Sequence, residues 1–136
     1  MKTLPKQAQV VIIGGGVIGC SVAYHLTKLG WKDVVLLEQN ELTSGTTWHA
    51  AALVTQLHGS RILTDIARYS VDLYPNLEAE TGQSTGFRRT GRIQVARTQG
   101  RMEELRRAIS MGKGFGVNIE EINLRDHINI VVNLLS

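Results

Sequence analysis

At 136 residues the chain has room for one domain with its own core and not for two full-sized ones. Hydrophobic residues make up 43%, charged residues 20%, and the formal net charge is +3. This balance excludes a disordered polyelectrolyte, the basic excess is too scattered for a nucleic-acid surface, and a single cysteine, Cys20, excludes a disulfide framework or a cysteine-rich zinc site.

In chain order, Met1 to Gln9 is polar, with two lysines. The apolar run behind it is too short for a signal-peptide core, no segment approaches the roughly eighteen apolar residues of a membrane span, and an Arg- and Ser-rich transit peptide is missing. The expected location is cytoplasmic. Val10 to Ile13 is a β-branched run that stops at Gly14-Gly15-Gly16 and predicts a buried strand entering a turn. Val17 to Leu29 carries apolar residues at three- and four-residue steps and predicts a helix that Gly30 closes. Val34 to Leu37 is a second strand, so the opening has the size of a βαβ unit.

Glu41 to Thr47 reads as a Thr/Ser/Gly-rich loop. Arg61 to Glu80 predicts a helix with Ile62, Ile66, Tyr69, Leu73 and Leu77 on one stripe, which Pro75 is expected to kink or divide. Arg92 to Arg97 is a half-exposed strand with Ile93 and Val95 on one side. Gln99 to Lys113 is a helix with Met102, Leu105, Ala108 and Ile109 inward. Val117 to Ile122 is a last strand. The fold class is α/β, a Rossmann-type unit followed by the start of a second, substrate-type domain.

Gly14-x-Gly16-x-x-Gly19 lies between the first strand and the first helix, the context in which this spacing binds a dinucleotide. The first glycine makes the tight turn, the second admits backbone to the pyrophosphate, and the third lets helix pack on strand. Phosphates then meet the helix N-terminus, where free N–H groups favour negative charge. Glu38, about twenty residues on at the end of the second strand, suits ribose hydroxyls and opposes a 2′-phosphate. The spacing alone does not separate FAD from NAD.

Leu42-Thr43-Ser44-Gly45-Thr46-Thr47-Trp48-His49-Ala50-Ala51 resembles the corresponding segment of sarcosine dehydrogenase and, more loosely, of dimethylglycine dehydrogenase. Glu80-Thr81-Gly82, Thr85-Gly86-Phe87, Gly91-Arg92-Ile93 and Met111 to Val117 resemble the same branch of the D-amino-acid-oxidase-like flavoproteins, in the same order. The resemblance implies that Gly14, Gly16, Gly19 and Glu38 hold the ADP half of FAD. It implies that Thr43, Ser44, Gly45, Thr46 and Thr47 approach the pyrophosphate and ribityl chain, and that His49 is attached covalently to the flavin. It further implies oxidative demethylation of a small N-methylated amino acid, with electrons passing to an acceptor protein or to oxygen. A tetrahydrofolate-binding region would lie C-terminal to this sequence, and a eukaryotic member would sit in the mitochondrial matrix. No catalytic residue and no metal ligand is assigned.

Two departures stand out. Ala52 occupies a position where the sarcosine-type pattern has glycine. Residues 123–136 do not look like the family, so 1–122 is read as the N-terminal part of an oxidoreductase domain and 123–136 as an atypical tail. The chain is therefore expected to be a fragment or truncated product, its tail coming from a shifted frame or read-through. The run Ile128, Ile130, Val131, Val132, Leu134 and Leu135 is expected to lack a pairing partner.

Competing readings are weaker on the residues. Gly82-Gln83-Ser84-Thr85-Gly86 matches a hydrolase nucleophile string but follows a helix and precedes a strand, the reverse of what that turn requires. Cys20 reads as a packing residue, and the arginines from Arg88 to Arg107 as solvated faces. A non-catalytic relative, resembling the regulatory subunit of pyruvate dehydrogenase phosphatase, is the rival function; the covalent-flavin histidine favours the enzyme. An NAD domain would need a third strand soon after residue 50.

Overall fold

The computed structural model describes residues 5–124 and 128–133. The chain divides into two compact units, Met1–Leu53 and Val54–Ser136.

In the first unit, β1 (Val10–Ile13) leads through the glycine turn into α1 (Val17–Lys28) and then β2 (Val34–Leu37). β1 and β2 pair in parallel, Val10 against Val34 and Ile13 against Leu37. Asp33 fixes the register at the entry: its carboxylate accepts from Gln9 N–H at 2.9 Å and its carbonyl from Val10 N–H at 3.2 Å. A single turn of 3-10 helix, Thr46–His49, interrupts the loop after β2. The expected strand, helix and strand all form, but β1, expected to be buried, leaves Val11 and Ile13 exposed.

The second unit is α2 (Arg61–Thr81), β3 (Arg92–Ala96), α3 (Gln99–Gly114), β4 (Ile119–Leu124) and β5 (Ile128–Asn133). Its antiparallel sheet has the order β3-β5-β4. Thr98 caps α3 by accepting from Arg101 N–H at 3.2 Å. Met102, Leu105 and Ile109 on α3 form the core with Ala96 of β3 and Ile119 of β4, and Leu57 packs against them. Gly112 is there because a Cβ would lie 3.1 Å from Ile119 and 3.3 Å from Leu57.

Three expectations need correction, and the alternation of β3 gains its sense. α2 runs as one helix through Pro75, so the proline does not divide it. Proline has no N–H for the carbonyl four residues back, and the freed Val71 carbonyl instead accepts from Arg89 Nη2 at 3.0 Å, while the same guanidinium pairs with Asp72. The stripe on α2 is also displaced. Ile62, Ile66 and Tyr69 are exposed, whereas Thr64 and Val71 are fully buried. Burying Thr64 is tolerable because its hydroxyl donates to Ser60 O at 2.9 Å and accepts from His58 N–H at 3.1 Å.

On β3 the Ile93 and Val95 side is the exposed one, and Ala96 enters the core. The alternation was legible, but not its sense: α3 follows after two residues and covers the other face. Finally, the run expected to be unpaired forms β5 between the other two strands. Ile130 pairs with Val95 on one side and with Ile122 on the other. Leu134 and Leu135 of that run lie outside the described residues.

Candidate cofactor site

The site is built where β1 ends. Gly14 takes φ +101°, in the left-handed region, and its N–H donates to Leu37 O at 2.8 Å, closing the turn onto the end of β2. Glycine alone adopts this without penalty. Gly19 answers a different need. A Cβ there would lie 1.9 Å from Gly14 O, so the first turn of α1 approaches the loop as closely as it does only without a side chain. Gly16 is the N-cap of α1 and offers no side-chain cap of its own.

Glu38 follows β2 directly and folds its carboxylate back over the turn. Oε2 accepts from Gly15 N–H at 2.7 Å and Oε1 from Asn40 N–H at 3.0 Å. The backbone N–H groups of Asn40, then Gly15, with a smaller part from Gln39, hold this carboxyl below its ordinary value, against a partial desolvation that opposes them. The sign of the linkage follows. A depressed value in the folded chain means these bonds are fully present above the ordinary carboxylate range and are lost as pH falls through the lowered value.

The loop beyond β2 returns to the glycine turn at two points. Thr43 N–H donates to Gly15 O at 2.9 Å, with Thr43 itself at φ +66°. Thr47 Oγ1 accepts from Val17 N–H at 2.9 Å. The turn containing Thr47 is closed by Trp48 N–H to Gly45 O at 3.1 Å and Ala50 N–H to Thr47 O at 3.2 Å. His49 ends that turn, exposed, with Nδ1 at 3.0 Å from Gly45 O. A carbonyl only accepts, so Nδ1 carries a proton, and in the neutral ring Nε2 is the nitrogen with the lone pair.

Of the residues singled out by sequence, Gly14, Gly16, Gly19, Glu38, Thr43 and Thr47 therefore meet around one turn. Ser44 does not join them through its side chain: its hydroxyl donates to Glu41 O at 2.7 Å. Gly45 contributes a carbonyl to Trp48 and His49, and Thr46 is exposed. Sequence reasoning passed over Gly15, the variable position of the fingerprint. Its N–H holds Glu38, and its carbonyl accepts from Thr43 N–H and, at 3.3 Å, from Cys20 Sγ. The glycine itself is the signal, since a Cβ there would lie 2.5 Å from Leu42 Cδ2 and 3.1 Å from Glu38 Cβ. Ala52 takes φ +56°, a left-handed conformation in which glycine would be unstrained.

Residues 9–129 match the family described as FAD dependent oxidoreductase. Human mitochondrial dimethylglycine dehydrogenase is 53% identical over 100 residues, covering 74% of this chain and 12% of that protein. The mitochondrial regulatory subunit of pyruvate dehydrogenase phosphatase from Mus musculus is 48% identical over 120 residues, 88% of this chain and 14% of that one. Among solved structures, L-proline dehydrogenase from P. horikoshii superposes with a TM-score of 0.82 at 25% identity, covering 96% of this chain and 37% of that one. The chain thus spans about one seventh or less of the curated relatives it matches. Among the described residues no helix is long and apolar enough to cross a membrane.

Proposed function

This chain belongs to the family of FAD-dependent oxidoreductases, and on that premise we propose that the protein is an FAD-dependent dehydrogenase or oxidase of a small N-methylated amino acid. The observation that carries the reading is the glycine turn closed by an ionised Glu38. That turn fits a dinucleotide: Gly14, Gly15 and Gly16 carry no side chain of their own to hold a pyrophosphate off the backbone, and they lead into a helix whose first N–H groups lack intrahelical partners. Gly14, Gly16 and Gly19 admit the pyrophosphate, and Glu38 accepts from the ribose hydroxyls with the lone pairs that Gly15 and Asn40 leave free. The Thr43–Thr47 segment borders the phosphates. Bound FAD would supply the hydride acceptor for oxidation of a carbon next to an amine nitrogen.

His49 is the residue for covalent attachment. Its Nδ1–H is engaged by Gly45 O, so Nε2 is the nitrogen with a lone pair to offer a carbon centre. Electrons leave to an acceptor protein or to oxygen. Similarity to the mitochondrial dimethylglycine and sarcosine dehydrogenases of Homo sapiens supports a mitochondrial location for a eukaryotic member and the N-methylated substrate class. A second reading is a flavoprotein regulator without turnover, favoured by the 48% identity to the phosphatase regulatory subunit. His49 favours the enzyme.

The test is made on the protein incubated with FAD, denatured in acid and digested. A mass increase of one FAD on the His49 peptide, lost in His49→Ala while non-covalent FAD binding persists, is the expected result. Complete release of flavin, or an adduct on His58, overturns the covalent assignment. Glu38→Ala should weaken FAD about 10- to 100-fold through lost charge-assisted bonds, and a change under about twofold removes Glu38 from the site.

A further inference from the structure

We propose that Thr47 is a positioning residue whose hydroxyl couples occupancy of the phosphate site to the placement of Trp48 and His49. The inference rests on the dinucleotide reading above and not on covalent attachment. Its first support is burial: from Gln39 to Leu53, Thr47 is the one residue that is not exposed. Trp48, next to it, is 79% exposed. The Thr46–His49 turn therefore stands in solvent and is held to the glycine loop through one side chain.

The second support is the state of that hydroxyl. Oγ1 accepts from Val17 N–H, the first donor of α1, at 2.9 Å. It supplies the cap that Gly16, lacking a side chain, does not. A hydroxyl also has one proton to give, and among the described residues nothing accepts it. That hydroxyl sits at the helix start, where a glycine turn of this kind receives a dinucleotide's pyrophosphate. A phosphate oxygen accepting its proton would close a chain from Val17 N–H through Thr47 to the ligand, with each bond polarising the next.

The third support is that the turn is braced as one piece. Trp48 N–H and His49 Nδ1–H both donate to Gly45 O, and Ala50 N–H donates to Thr47 O. Fixing Thr47 therefore fixes the backbone that carries the indole and the imidazole. Serine keeps the hydroxyl. Valine keeps the shape and removes it.

The experiment uses ADP, which carries the phosphates and ribose without the flavin ring, and the chain with Trp31→Phe so that Trp48 alone reports. ADP binding is measured by equilibrium dialysis and Trp48 emission is read at saturation. The expected result is a shift in emission on binding, retained in Thr47→Ser. Thr47→Val should bind ADP about tenfold more weakly and, at saturation, show no shift. Thr47→Ala serves in its place if the valine variant does not fold. A full shift in the hydroxyl-free variant, loss of the shift in Thr47→Ser, or binding without any shift in the parent would each overturn the coupling. Failure of the parent to bind ADP in dialysis would instead bring down the dinucleotide reading, and the coupling with it.

Discussion

In Met1–Leu53 the buried residue among those described is a glycine, Gly15, while Val54–Ser136 buries Val71, Ala96, Met102, Leu105, Ile109, Val117 and Ile119. In the first unit large apolar side chains stand in solvent, Ile13 at 87% exposure and Ile18 at 78%. What organises it is donor-to-acceptor matching: Gly14 to Leu37, Gly15 to Glu38, Thr43 to Gly15, Val17 to Thr47. The second unit uses the same currency at its helix caps, but its shape follows from apolar packing of α3 on the sheet. The two therefore respond to different substitutions. Removing methylenes injures a packed cluster, and misplacing one backbone group injures a binding turn.

The largest contrast sets Leu105→Ala against Ile13→Ala. Leu105 is 2% exposed in the core cluster, so its truncation should cost the second unit about 2–5 kcal/mol. Ile13→Ala, on an exposed side chain, should cost under about 0.5 kcal/mol. Denaturant unfolding followed by hydrogen exchange at α3 and β1 amides reads both. Equal losses would end the distinction between the units.

A smaller effect probes the polar side of the second unit. Arg89→Ala leaves the Val71 carbonyl without its donor and should cost about 1–2 kcal/mol. With Pro75→Ala, residue 75 regains an N–H for that carbonyl, and the penalty for losing Arg89 should fall by at least half. A double-mutant cycle measures the coupling; strict additivity would mean that Arg89 acts only through Asp72. The smallest effect belongs to the first unit. Ala52→Gly should raise stability by up to about 1 kcal/mol, since a left-handed Cβ costs about 1–2 and glycine's extra chain entropy returns part of it. A midpoint that falls on this substitution would show that Ala52 is not strained.

Much of the candidate site was legible along the chain, because it is compact in sequence. The glycine spacing needs nothing beyond its own strand and helix, and Glu38 lies directly after the second strand. Less legible were the contacts made by atoms every residue shares. Gly15 N–H and O, Val17 N–H and Asn40 N–H organise the turn, yet any residue but proline at those places offers the same donor. Thr43, Ser44, Gly45, Thr46 and Thr47 looked equivalent as a polar loop. Only folding separates Thr47, which caps α1, from Ser44, whose hydroxyl is spent on Glu41.

The same division runs through the second unit. Periodicity located α3 and its inward Met102, Leu105 and Ile109, because those residues are both apolar and in phase. It misjudged α2, where the larger Ile62, Ile66 and Tyr69 drew attention from the buried Thr64 and Val71. A fully buried threonine is acceptable only once Ser60 and His58 supply partners, and those partners depend on the path of the preceding loop. Local pattern sufficed for the βαβ opening, for the glycine turn and its acid, and for α2, β3, α3 and β4. Contacts between distant segments set which face of β3 meets the core, who takes the carbonyl that Pro75 abandons, and where the 128–133 run pairs. Those outcomes turn on groups far apart in the chain, and only their meeting in space satisfies each donor, acceptor and apolar surface.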